Sequence, residues 1–136
     1  MPPLTSPGRG IDSQEEAITA VRAALEKQAE AVAVLDLRTL SSVADFFVIC
    51  TAGSARQIEA LKDHIEAALA KSGWSVWHTE GTARSPGPSG VGEPAPQWVL
   101  MDCGDVVVHL LDQQARTFYR LEDLWADAPR LPVPQS

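Results

Sequence analysis

The segment that most constrains the fold is Gln97 to Leu111, QWVLMDCGDVVVHLL. Two apolar runs of strand length flank a short break containing glycine, which is the pattern of a β-hairpin. With Cys103-Gly104 taken as the turn, Asp102 pairs with Asp105, Met101 with Val106, Leu100 with Val107, Val99 with Val108 and Trp98 with His109. Strand side chains alternate between faces. One face therefore collects Val99, Met101, Val106, Val108 and Leu110, and it must be core. The other collects Trp98, Leu100, Asp102, Asp105, Val107 and His109. That mixture suits a docking surface with an aromatic anchor and polar groups beside it. It equally suits a face covered by a helix of the same chain, with Trp98 and His109 packed as amphipathic core residues. The register decides which residues share a face, since a slip of one residue exchanges the two.

The rest of the chain supplies the sheet that such a hairpin needs. Residues 1–10, with three prolines and two glycines, read as a disordered arm. Apolar residues at helical spacing follow (Ile11, Ala17, Ile18, Val21, Ala24, Leu25, Ala29), and Ser13 with Glu16 has capping-box spacing that places the helix start there. AVAVLDL (31–37) and DFFVICTA (45–52) read as strands. Ser54 caps a second helix with Ile58, Leu61, Ile65, Ala68 and Leu69 as its buried stripe and Gly73 at its end. WSVWHTE (74–80) reads as a third strand. Residues 81–97 hold four prolines and four glycines and read as a flexible surface loop within one domain. A short helical tail, 115–125, and a disordered end at 129–136 complete the chain. The expected architecture is a single α/β domain over 11–128, a mixed sheet of about five strands with flanking helices.

Charge and chemistry narrow the function. The net charge of −7 disfavours a protein that holds nucleic acid by itself, because phosphate backbones are bound mainly through Lys and Arg, and it favours a basic protein partner. No run approaches the length of a membrane span, and the N-terminal residues have no apolar core for a secretory signal, so a cytoplasmic location is expected. Cys50 and Cys103 lie in apolar strand segments, Cys103 where its segment meets the turn, and read as packed, reduced thiols. His64, His78 and His109 lie on different elements without metal-ligand spacing, and no cofactor or metal is expected. Asp102 and Asp105 flank the turn, where acids commonly accept backbone N–H bonds. The start of the helix after Gly53-Ser54, with Arg56 nearby, could accept a phosphate on its free N–H groups, but a lone Gly-Ser before a helix is common and lacks the glycines and lysine of a P-loop. Two function classes result: a small α/β interaction domain, and a phosphate- or nucleotide-binding enzyme.

Four stretches resemble the ribosomal silencing factor, or Iojap-related, family: DLRTLSSVADFFVICTAGSARQIEAL (36–61), EG (80–81), WVLMDCGDVVVHLL (98–111) and FYRLEDLWADA (118–128). The resemblance spans about residues 12 to 127. It implies a non-enzymatic α/β domain, similar in outline to nucleotidyltransferases, that binds the large ribosomal subunit through protein uL14 and blocks association with the small subunit, lowering translation when nutrients are scarce. Gly53-Ser54 is not followed by the paired carboxylates a transferase would need to hold catalytic metal. The resemblance places the tryptophan matching Trp98 on the uL14-binding surface, and leaves open a homodimer of the free protein. Two departures stand out. The stretch after Gly81 is much longer than in relatives, and Phe46 and Cys103 replace tyrosines common in the family.

Overall fold

The computed structural model describes residues 9–42, 44–82 and 97–133. The elements run α1 (Arg9–Glu26), β1 (Glu30–Asp36), β2 (Phe46–Ala52), α2 (Ala55–Lys71), β3 (His78–Thr82), β4 (Trp98–Asp102), β5 (Val106–Asp112), α3 (Gln113–Tyr119), α4 (Leu121–Leu124) and β6 (Arg130–Leu131). The strands form one mixed sheet in the order β3-β4-β5-β2-β1-β6. β2 and β5 are parallel, and every other neighbouring pair is antiparallel.

Helices α1 and α2 cover one face. Ala17, Ala20, Val21 and Ala24 of α1 and Ile58, Leu61, Ile65 and Leu69 of α2 pack on Val34, Val48, Cys50, Val99, Met101, Val106, Val108 and Leu110, all buried. The apolar hairpin face expected from alternation is thus core. The opposite face has a smaller cluster of Leu35, Leu37, Ile49, Leu111, Ala115 and Ala128, with Phe47, Trp98 and Trp125 at its margin.

Several boundaries differ from the sequence expectation, each for an identifiable reason. Helix α1 begins at Arg9, inside the expected arm of 1–10, and residues 1–8 lie outside the described part. Ser13 is not its cap. The Ser13 hydroxyl donates to Asp45 Oδ2 at 2.8 Å in the interior, so a long-range carboxylate takes the group that local capping would have used. β3 begins at His78, not Trp74, because the Trp74 N–H bonds back to Leu69 O at 2.9 Å. That bond closes α2, with Gly73 at φ +95 beside it. The same strand runs on through Gly81 and Thr82, into the expected loop of 81–97, while 83–96 lies outside the described residues. The expected tail of 129–136 includes β6, whose Arg130 and Leu131 pair with Leu35 and Val34, and 134–136 lies outside the described part. The helical tail divides at Arg120, which adopts a left-handed φ of 51 between α3 and α4.

The hairpin turn sits one residue later than expected. Cys103 N donates to Val106 O at 2.9 Å, leaving Gly104 and Asp105 as the turn residues, with Gly104 at φ +91. Asp102 therefore faces Val107, Leu100 faces His109 and Trp98 faces Leu111. Every partner moves by two residues, an even number, so no side chain changes face.

Candidate protein-docking face

The mixed face is assembled from three adjacent strands and then joined by a fourth. On β4 and β5 it holds Trp98, Leu100, Asp102, Val107 and His109, as the sequence predicts, together with Leu111. The register of β3 adds His78 opposite Asp102 and Glu80 opposite Leu100. The parallel pairing of β2 places Phe47 beside Val107 and Ile49 beside His109. Asp105 does not join them. It lies in the turn, where its backbone carbonyl accepts from Asp45 N at 2.7 Å and Phe46 N at 3.2 Å, and its charge acts on Glu16 of α1.

Part of this face is covered and part is accessible. His109 is 3% exposed and Val107 8%, whereas Trp98, Leu100 and Asp102 are half-buried. Rings form a continuous row: Tyr119 lies 4.5 Å from Trp98, Trp98 5.8 Å from His109, His109 4.5 Å from Phe47, and Phe47 5.8 Å from Trp125. The C-terminal segment thus covers one side of the face and leaves the β3–β4 side open. Arg116 holds that segment in place. It donates twice to Glu122 at 2.8 Å and once to Thr51 Oγ1 at 2.7 Å, tying α3 and α4 to the sheet. Asp112 caps α3, with Oδ1 accepting from Ala115 N at 2.7 Å.

Trp98 is oriented from beneath. Its Nε1–H donates to His109 Nδ1 at 3.1 Å, which puts the imidazole proton on Nε2. Burial pushes the His109 pKa down to about 4, so the ring stays neutral and Nδ1 remains an acceptor at physiological pH. Nε2 is buried and has no partner among the described residues. Asp102 serves its own turn, with Oδ1 accepting from Gly104 N at 2.9 Å. His78 Nε2 and Glu80 Oε2 are 2.8 Å apart and well exposed, so a carboxylate borders the open side.

Gly81 fixes the distance between β3 and β4. It pairs with Val99 at φ +111, and a Cβ there would stand 2.0 Å from the carbonyl oxygen of Trp98. The sequence marked Glu80-Gly81 as a motif without this reason. Phe47 and Tyr119 were also missed as members of the face. Tyr119 and Phe118 do stand out as aromatic residues in a polar helix, at 39% and 69% exposure.

Other candidate chemistry is occupied locally. Ser54 Oγ accepts from Gln57 N at 3.1 Å, and Gln57 Oε1 accepts from Gly53 N at 2.7 Å, so the start of α2 is capped by its own side chains. Burial raises the thiols of Cys50 and Cys103 to about 12, leaving both protonated and unreactive. Among the described residues no group of three His, Cys, Asp or Glu side chains is placed to hold a metal, and no helix is long and apolar enough to cross a membrane.

Comparison with known proteins identifies the family of the whole chain. A family model described as ribosomal silencing factor during starvation matches residues 11–136. The ribosomal silencing factor RsfS of Halalkalibacterium halodurans is 35% identical over 119 residues, covering 88% of this chain and 92% of that protein. The RsfS of Bacillus subtilis is 38% identical over 104 residues, covering 76% and 79%. A crystal structure of a Chromobacterium violaceum protein superposes with a TM-score of 0.70 at 28% identity, covering 90% of this chain and 92% of that one.

Proposed function

The chain belongs to the ribosomal silencing factor family, and from that premise we propose that it binds the large ribosomal subunit through protein uL14, blocks joining of the small subunit and so represses translation when nutrients are limiting. The observation that carries the reading is the half-buried Trp98, held between His109 and Tyr119 at the margin of an incompletely covered sheet face. An aromatic side chain already fixed in one rotamer offers contact area at low entropic cost, which suits an anchor. Leu100 supplies apolar contact beside it, whereas Val107, buried at 8% exposure, supports the face from within the sheet. Asp102 and Glu80 present carboxylates to a basic partner and act mainly on encounter rate and orientation. The protein works by occupying a surface, without turnover and without a cofactor, in the cytoplasm.

Co-sedimentation tests the proposal. Purified protein mixed with ribosomal subunits should travel with the large subunit on a sucrose gradient and be nearly absent from joined ribosomes. Adding excess protein before subunit joining should reduce the joined peak. Failure to enter large-subunit fractions at low salt would refute the reading. Binding should weaken as salt rises, less steeply than for a protein that grips rRNA phosphates.

A further inference from the structure

Trp77 is 74% exposed, the most exposed large hydrophobic side chain among the described residues. The other tryptophans all have neighbours. Trp74 packs against the helix-side core, and Trp98 and Trp125 against the smaller cluster. Trp77 is nevertheless not loose. Its backbone N–H donates to Asp102 O at 2.8 Å, one residue before β3 pairs with β4. Its indole lies against the hairpin turn, where a Cβ built on Gly104 would be 3.1 Å from both Cζ2 and Cη2. The turn therefore leaves room for the indole by having no side chain at that position. The result is a large apolar ring that rests against the hairpin turn and is presented to solvent.

Its position connects it to the docking face. Trp98 opens β4 and Asp102 closes it, so the two tryptophans stand at opposite ends of one short strand, roughly 13 Å apart along it at the usual rise per residue. Between them lie Leu100 and, on the neighbouring strand, Glu80. The local charge selects the kind of partner. Trp77 donates its N–H to Asp102 O and precedes the His78–Glu80 pair, so the carboxylates of Asp102 and Glu80 lie on the strands next to it, a setting that repels phosphate and attracts a basic protein surface.

We propose that Trp77 is a second anchor of the docking face, contacting the same basic ribosomal protein as Trp98 at the hairpin-tip end of β4. The inference rests on the docking reading above and extends the contact surface beyond it. A pre-placed ring loses little freedom on binding, and burying it removes from water the largest apolar side chain the described surface exposes.

The test compares Trp77→Ala, Trp77→Phe and Trp98→Ala, each in the full chain, for affinity to recombinant uL14 and to purified large subunits, with melting curves and oligomeric state measured alongside. Trp77→Ala should bind uL14 and the subunit roughly tenfold more weakly with an unchanged melting midpoint, and Trp77→Phe should recover most of the loss. Parental affinity in Trp77→Ala together with weakened Trp98→Ala would overturn the second anchor and leave the docking reading intact. Parental affinity in both would overturn the docking reading as well. Loss of subunit binding without loss of uL14 binding would move the contact to rRNA or another protein and overturn the partner assigned here. A large fall in melting midpoint, or a change in oligomeric state alone, would make Trp77 a structural or self-association residue and overturn the proposal.

Discussion

The indole N–H of Trp98 reaches Nδ1 of His109 at 3.1 Å although the residue directly opposite Trp98 is Leu111. The contact is diagonal, across two strands and two residues, within reach of an aromatic side chain on one sheet face. A surface aromatic is thereby oriented by a buried ring that must stay neutral to accept the bond. Docking and packing are coupled at this pair, and the coupling sets what substitutions there should do.

Trp98→Ala should weaken large-subunit binding by about 2 kcal/mol or more, the scale of an interface hot spot. It should also lower stability, by roughly 1–2 kcal/mol, less than the 3–5 of a wholly buried tryptophan, because Trp98 is only half-buried. Trp98→Phe keeps the contact with Tyr119 but leaves both nitrogens of the buried His109 without partners among the described residues. It should lose stability while keeping most of the binding. Titration of subunit affinity and a denaturant melt on the two variants separate the contributions.

Gly81→Ala should be far more damaging than its exposed position implies. The added methyl would stand 2.0 Å from the Trp98 carbonyl oxygen at a φ of +111, so β3 must move off β4 or the backbone must strain. A loss of about 2–4 kcal/mol is expected from strain and overpacking together. Chemical denaturation measures it. A variant as stable as the parent would mean that β3 is free to shift.

Replacing residues 83–96 by a short turn should change stability by less than about 1 kcal/mol. The strand ends make this feasible, since Thr82 and Trp98 are direct partners across the β3–β4 pair. A larger fall in a thermal melt would mean that the segment packs on the domain. Unchanged stability with altered uL14 affinity would place the segment at the interface.

Much of the face is legible in the sequence because alternation tolerates an even shift of register. The turn lies one residue later than the sequence pattern indicates, which moves every cross-strand partner by two and leaves Trp98, Leu100, Asp102, Val107 and His109 on the same side. Helix α2 was read from its stripe and its Ser54 cap, both local signals. What escaped reading depends on contacts distant in sequence. Ser13 and Asp45 are 32 residues apart, and local spacing made Ser13 look like a cap. Phe47 joins the face only through the parallel β2–β5 pair, whose register no short pattern encodes. Tyr119 does so only because Arg116 ties α3 to Thr51 of β2. Asp105 departs from the expected face because it is a turn residue, and side chains in a turn do not follow strand alternation.

Glu16 and His109 should make stability unusually insensitive to mild acid. Burial, with a smaller contribution from Asp105, raises the Glu16 carboxyl from 4.5 to about 8, while burial lowers His109 from 6.5 to about 4. Between about pH 4.5 and 6.5 the folded chain keeps the Glu16 proton that the unfolded chain has lost. Over the same interval the unfolded chain binds a proton on His109 that the folded chain refuses. The two differences have opposite sign and nearly cancel, so stability should be almost flat there. From pH 6.5 to 8 only Glu16 differs, the folded state holds more protons, and stability should fall as pH rises. Glu16→Gln removes one side of this balance. The variant should gain on the order of 2–4 kcal/mol over the parent by pH 8 and gain little at pH 4. Between pH 6.5 and 4 it should lose stability steadily on acidification, because the His109 contribution is now unopposed. Urea melts of the parent and Glu16→Gln at half-unit steps from pH 4 to 8 measure both slopes. A parent curve that falls steeply from pH 6.5 to 4.5, or a variant curve parallel to it, would show that Glu16 is ionised in the folded protein and that the buried carboxyl has found a cation.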